Sequence, residues 1–485
     1  MRVQRDRRRF TVEVSADGDG LVSHAGSGLL AELADRSGLT SALSRGLARV
    51  RERRSGHDPG RVVRDLAVML ADGGDCLADL RALRDQASLF GPVASGSTAF
   101  RVIERIASEP ELTEALRSAR AAVRERTWQA GGRPEQIVID LDATLVTAHS
   151  EKEGAAGTFK RGFGLHPLLA YLDESAEPLA GMLRPGNAGA NTACDQIAVA
   201  GAALEQLPRG TVEEADILLR ADSAGATHEL LDWARAGRIR FSVGFDITEP
   251  VRQAILSLPE SAFRAAVGQD GDDRDGAWVA EITDRLDLSG WPEGARAIVR
   301  RERPHPGAQL SFTDHGGHRF QVTLTDQQGS DIAEIERRHR ARANVEDRIR
   351  NAKQTGLDKL PFRDFEHNAV WLELVLLAQD LLCWTQRLVL DGELARCEPK
   401  RLRYRLLHVA ARLGFHARRP PCASNATGHG RASSPPPSSA CARCRCQLPD
   451  RPPRPAMITA PLAPESAAGA WPHASPGQLC ARPDC

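Results

Sequence analysis

The stretch IVIDLDATL, Ile137 to Leu145, decides how the rest of the chain is read. It is an apolar run that ends in acidic residues, Asp140 and Asp142, and it follows the turn-forming GGRPEQ at 131–136. Short apolar runs bounded by glycine and proline read as buried strands. An aspartate at such a strand end is often no more than a helix cap or turn former. Its meaning depends on what other segments bring to the same place.

Downstream, HPLLAYLD and EPLAGMLRPGN read as two further strands and residues 191–207 as a helix. ADILLRAD is a second apolar strand that closes on Asp222. HELLDWARAG is helical, and RIRFSVGFD returns to strand. Strands and helices alternating at this spacing predict a mixed α/β sheet. Between Ile247 and Asp331, AWVAEITDRLDL, ARAIVRRERP and HRFQVTLTD are separated by Gly, Pro and Asp turns, which predicts a β-rich insertion. Upstream, apolar residues recur at three and four from Leu29 to about Trp128, the mark of a helical N-terminal domain. The basic stretch Arg51–Arg61 reads as a solvated loop, with a DNA-facing surface as the alternative.

HRARANVEDRIRNAK, His339 to Lys353, predicts one amphipathic helix. Ala341, Val345, Ile349 and Ala352 form an apolar stripe. His339, Arg342, Glu346, Arg350 and Lys353 fall within roughly 80° of one another beside it. A single carboxylate among cations is, taken alone, an ordinary solvated face with i,i+4 pairs. After it, the apolar run Ala369–Trp384 contains Glu373, Gln379 and Asp380, too interrupted for a bilayer span and suited to a buried helix.

The chain has 485 residues, enough for several domains, and balances 64 basic against 64 acidic residues. Net charge therefore selects no partner, although arginine clusters at Arg7–Arg9, Arg51–Arg54, Arg337–Arg342 and Arg401–Arg419 suit phosphate. The N-terminus lacks the apolar segment of a secretory signal, so the expected location is cytoplasmic. Cys76, Cys194, Cys383 and Cys397 are scattered like reduced thiols.

Asp140 or Asp142 at one strand end, Asp222 at another and Glu346 on a later helix could converge. Three converging carboxylates are costly unless cations neutralise them, and an all-oxygen set suits Mg²⁺ or Mn²⁺. Two such ions could serve phosphoryl chemistry. The order strand-Asp, strand-Asp, insertion, helix-Glu resembles the DDE transposases of bacterial insertion sequences, of the type named for insertion sequence 1380. DLDATL, RPGN, LLRADS and the Arg342–Lys353 helix carry the likeness, which spans about Phe10 to Arg419. It implies a ribonuclease H-like core, with Asp142, Asp222 and Glu346 as catalytic metal ligands and Asp140 as the alternate first carboxylate. The related helix reads Tyr-x2-Arg-x3-Glu-x6-Lys, so Arg342 and Lys353 match and His339 replaces the tyrosine. His339, Arg342, Arg350 and Lys353 are then the expected DNA contacts. The resemblance further implies two Mg²⁺ or Mn²⁺ ions per site, terminal inverted repeats and target DNA as partners, and a homodimer on DNA. It divides the chain into an N-terminal domain for DNA ends and assembly (1–130), the first part of the core (131–246), the insertion (247–331), the catalytic helix with C-terminal core helices (332–419) and a tail (420–485).

Other readings of the same residues stay open at this point. Asp-x-Asp-x-Thr also fits a haloacid dehalogenase-type phosphohydrolase, with Asp140 as nucleophile and Asp142 as acid/base. That reading lacks a strand-borne acidic pair, since Asp272–Asp273 lies in a turn-like stretch. A DNA-binding relic without catalysis is the non-enzymatic alternative. Beyond Arg419, 14 of the 29 prolines crowd into a segment without periodicity, expected to be disordered. Cys441, Cys444 and Cys446 lack a second ligand pair, which argues against zinc. The Arg/Pro/Ala/Ser/Cys mixture suits a frameshifted GC-rich gene. Translating the other two frames past Arg419 is expected to yield a periodic helical continuation, and finding none in either frame defeats this origin.

Overall fold

The computed structural model describes residues 21–51, 56–149, 151–304, 314–413 and 422–424. The expectations for the tail, its disorder, frameshifted origin and Cys441–Cys446 cluster, and for Arg7–Arg9, lie outside these residues.

The N-terminal region is helical: α1 (Gly28–Arg36), α2 (Leu39–Gly46), α3 (Pro59–Asp72), α4 (Gly96–Ser108) and α5 (Pro110–Thr127). Local chemistry sets the ends of α3. Asp58 caps the Arg61 amide, Pro59 occupies the first turn, and Gly73 stops the helix at φ 106°. This helix is buried on nearly every face. Arg64 and Asp65 therefore pair with each other at 2.6 Å inside the packing.

The core strands are β1 (Ile137–Ala143), β2 (Leu168–Leu172), β3 (Pro178–Met182), β4 (Ile217–Ala221) and β5 (Arg240–Phe245). Helix α6 (Ala193–Glu205) links β3 to β4, and α7 (His228–Ala236) links β4 to β5. Their order is β3-β2-β1-β4-β5. Both β1–β2 and β2–β3 are antiparallel, while β1–β4 and β4–β5 are parallel. This is the ribonuclease H-like arrangement. Helical crossovers bring parallel strands together with their C-terminal ends at one edge of the sheet.

After the helix α8 (Glu249–Leu256), the strands β6 (Arg264–Val267), β7 (Asp273–Glu281), β8 (Arg296–Glu302) and β9 (His318–Thr325) follow. They do not form a sheet of their own. β9 pairs antiparallel with β5 and with the two-residue strand Asp314–His315, so the β-rich segment extends the core into a 10-stranded sheet. Then come α9 (Ile332–Arg340), α10 (Asn344–Ala352) and the long α11 (Phe365–Val389). The single helix expected over His339–Lys353 is divided. Ala341–Ala343 tighten into a 3₁₀ turn, which advances about 120° per residue instead of 100°. His339 thus belongs to α9, and only Arg342 onward keeps step with Glu346.

A buried ionic cluster fastens α5 to the sheet edge and to α11. Arg124 donates to Asp380 (2.7 Å) and Glu177 (3.1 Å), and Arg120 to Asp380 (2.8 Å). Both arginines also reach the Pro178 carbonyl at the start of β3, and Trp384 bonds Glu177. Arg124→Met leaves two buried carboxylates short of a cation. It is expected to cost about 3–5 kcal/mol in urea unfolding. A loss below about 1 kcal/mol would mean that solvent already screens the cluster.

Candidate active site

Parallel register brings the first two acids together. Asp140 on β1 stands opposite Arg220 on β4. Two residues further along the chain are Asp142, still within β1 and on the same face as Asp140 because side chains alternate, and Asp222, just past the end of β4. β4 ends at Ala221, and Asp222 caps the short turn that follows by accepting from the Ala224 amide at 3.1 Å. The cap role expected of any strand-end aspartate is therefore filled, but by one of two carboxylate oxygens.

The Asp140–Arg220 pair separates the two candidates for the first carboxylate. Arg220 donates Nε to Asp140 Oδ1 (2.6 Å) and Nη2 to Asp140 Oδ2 (2.7 Å). The same guanidinium reaches Asp173 Oδ2 at 2.9 Å and the Arg338 carbonyl near the end of α9. Asp140 is buried with both oxygens occupied. Burial lifts its carboxyl to about 6, against the pull of Arg220. Asp142 is more open, and its nearest cation is Arg342, with Nη1 3.9 Å from Oδ2. Burial first raises the Asp142 carboxyl to about 6, Arg342 opposes this, and the charges of Asp222 and Glu346 add to the rise. Asp142 thus feels both of the other acids.

Helix α10 carries Glu346 and is tied to the sheet through Asp173. Asn344 Nδ2 donates to Asp173 Oδ1 (3.1 Å) and Arg348 Nη2 to the Asp173 carbonyl (2.9 Å). Val345, Ile349 and Ala352 are its buried side, as the spacing predicted, and Glu346 is on the exposed side. Lys353 Nζ donates to the Leu145 carbonyl (2.9 Å), just beyond Asp142. His339 is different. Its Nδ1 pairs with Ser242 Oγ (3.0 Å), and burial together with Arg342, Arg220 and Arg300 pushes its pKa down to about 3. It presents a neutral ring. Arg350 is occupied by Asp347 (3.0 Å) and Glu398 (2.9 Å).

The three carboxylates do not bring one oxygen each within 4.8 Å of all the others, as two other groups among the described residues do. Those groups are His24–Asp72–His408 and Asp75–Cys76–Asp79. Each is internally hydrogen-bonded, Asp72 by His24 and His408 and Asp79 by the Asp75 and Cys76 amides. An all-carboxylate set with one partial counter-charge fits hard divalent cations.

A family model described as Transposase DDE domain group 1 matches residues 4–422. The chain belongs to that family. Its activity is that of a DDE transposase, phosphodiester chemistry on DNA, and transposases of this family use divalent metal ions. The match stops where the proline-rich tail begins. A cryo-EM structure of a piggyBac transposase synaptic complex with hairpin DNA is similar at TM-score 0.41 and 10% identity, over 79% of this chain and 80% of that one. No curated protein matches the chain. Among the described residues, no helix is long and apolar enough to cross a membrane.

Arg220 is the residue that sequence reading missed. The signal was present, since a charge interrupts the apolar strand ILLRA just as Asp140 interrupts IVIDL. The raised Asp142 carboxyl also yields a sign. Its folded value, about 6, lies above that of a free aspartate, so its charge destabilises the fold above pH 6. In metal-free buffer Asp142→Asn is expected to add roughly 1–3 kcal/mol to unfolding at pH 7.5. The gain should fade as pH drops from 6 towards 4, where the wild-type carboxyl becomes protonated. Denaturation midpoints at pH 7.5 and 4.5 decide it, and a variant no more stable at either pH refutes the reading.

Proposed function

We propose that Asp142, Asp222 and Glu346 are the catalytic metal ligands of this transposase and hold two Mg²⁺ or Mn²⁺ ions. The observation that carries the reading is the parallel pairing of β1 with β4, which places Asp142 and Asp222 at neighbouring strand ends, with the Glu346 helix α10 packed against β1. Bound divalent ions would supply neutralisation of the carboxylate charge and of the scissile phosphate. Asp142, whose carboxyl is raised by the charges of both Asp222 and Glu346, would hold the ions together with those two residues. Arg342 offsets part of the carboxylate charge and is the cation best placed to meet a DNA phosphate beside the cut. Lys353 holds the Leu145 carbonyl and so fixes the DATL segment; its remaining donors suit the same backbone. His339, neutral and bonded to Ser242, supports this region by packing and a hydrogen bond rather than as a cation. Arg350 would reach DNA only by leaving Asp347 and Glu398.

The substrate on this reading is DNA bearing the terminal inverted repeats of the chain's own element. Cleavage at those ends is followed by attack of the freed 3′-hydroxyl on target DNA. Positioning and electrostatic stabilisation supply the rate, and no covalent protein–DNA bond is required. Region 1–130, through its helices α1–α5, would recognise ends and assemble two protomers on DNA, in the bacterial cytoplasm at the nucleoid. The phosphohydrolase alternative is disfavoured because Arg220 occupies both oxygens of its nucleophile Asp140.

With a labelled duplex carrying those repeats and Mg²⁺, end-specific nicking is expected. Glu346→Ala and Asp222→Asn should each lower it by roughly a thousandfold or more, the scale on which members of a catalytic set fail. Hydrolysis of small phosphoesters that survives Glu346→Ala but not Asp140→Asn would overturn the assignment.

A further inference from the structure

Between Asp142 and β2 the chain makes an excursion that the catalytic set does not use. Phe163–Leu165 pairs with Val146–Thr147 and with Ala156–Gly157, forming a small sheet. Its base is tightly fitted. A side chain on Gly164 would meet the Val146 carbonyl at 2.0 Å, and Leu165 bridges to Pro185. Its tip, Thr158-Phe-Lys-Arg-Gly-Phe163, is closed by three bonds. The Thr158 amide donates to the Gly162 carbonyl (2.9 Å), the Arg161 amide to the Thr158 carbonyl (2.9 Å) and the Gly162 amide to Thr158 Oγ1 (3.1 Å).

This ordered turn presents an unusual surface. Phe159 is 67% exposed and Phe163 41%, two of the few large apolar side chains left in water among the described residues. Lys160 lies 5.6 Å from the Phe159 ring centre, and Lys160 and Arg161 are themselves exposed. Arg161 adopts φ 62°, a left-handed conformation that is strained for a non-glycine residue. Folding alone would favour glycine there and polar residues in place of the phenyl rings.

Position supplies the purpose. Phe163–Leu165 runs through His166 and Pro167 into β2, whose Leu168 lies opposite Ala143. The hairpin therefore leaves the sheet at the end where Asp142 sits. At about 3.3 Å per extended residue the tip can reach roughly 15–20 Å from that end, about half a turn of duplex DNA. Cations beside flat apolar rings match a phosphate backbone and an adjoining base or sugar face.

We propose that the Thr158–Phe163 turn is a DNA contact of the transposase, with Lys160 and Arg161 on backbone phosphates and Phe159 against a base or sugar. The proposal rests on the reading of the chain as an end-cleaving transposase, and the test separates the two. The full-length protein is titrated with a fluorescein-labelled duplex carrying the terminal repeats and flanking DNA, across a range of salt. Lys160→Ala/Arg161→Ala is expected to flatten the plot of log affinity against log salt by roughly 1.8, about 0.9 for each lost phosphate contact. Phe159→Ala should weaken binding roughly tenfold without changing that slope. Because all three side chains are exposed, unfolding midpoints should match wild type. If the wild type nicks the ends and both variants keep its slope and affinity, this proposal alone falls. Loss of self-association with an unchanged slope assigns the turn to a second copy and also overturns it. A wild type that neither prefers nor nicks the repeat duplex removes the end-cleaving reading and this proposal together.

Discussion

One buried guanidinium holds the active region in register. Arg220 joins the adjacent strands β1 and β4 through Asp140, the turn after β2 through Asp173, and the end of α9 through the Arg338 carbonyl. Asp173 in turn anchors α10 through Asn344 and Arg348. All three proposed metal ligands are thus one or two links from a single side chain. A charge in this position is tolerated only because nearly every donor has an acceptor, since an unmatched buried guanidinium costs several kcal/mol. That requirement makes the arrangement specific, because a slip of register would strand both Arg220 and Asp140.

The same pairing explains why two aspartates so close in the chain have different fates. Asp140 and Asp142 share a face of β1, but only the outer one escapes the arginine. The inner acid is structural and gives up both oxygens. The outer one keeps a raised carboxyl, one distant cation and two acidic neighbours. Sites of phosphoryl chemistry commonly hold such unresolved charge until a cation and substrate arrive.

Much of this was legible in the residues. The strands carrying Asp142 and Asp222 and the buried side of α10 follow from apolar runs and helical spacing. The β-rich segment was visible as strands, but not as an extension of the core sheet, because β5–β9 pairing joins residues with no local signature linking them. The break at Ala341–Ala343 was illegible for a related reason: a 3₁₀ turn uses the same residue types as a helix, and its tighter bond pattern leaves no mark in composition. His339 therefore seemed to share a stripe with Glu346, whereas its partner is Ser242 on a distant strand. Arg220 shows the opposite failure, a visible anomaly whose partner could be named only once the strands were paired.

The cluster of α5 with α11 has a consequence for biosynthesis. Arg120 and Arg124 leave the ribosome long before Asp380, which lies 260 and 256 positions later. At ordinary elongation speeds the wait is on the order of tens of seconds. Through that interval the early helices cannot settle into their final seat with both guanidiniums matched, and the nascent chain stays exposed to chaperones. Any message that ends before α11 yields a polypeptide unable to complete its own interior, whereas one that changes only after Arg419 still encodes every acid those arginines need.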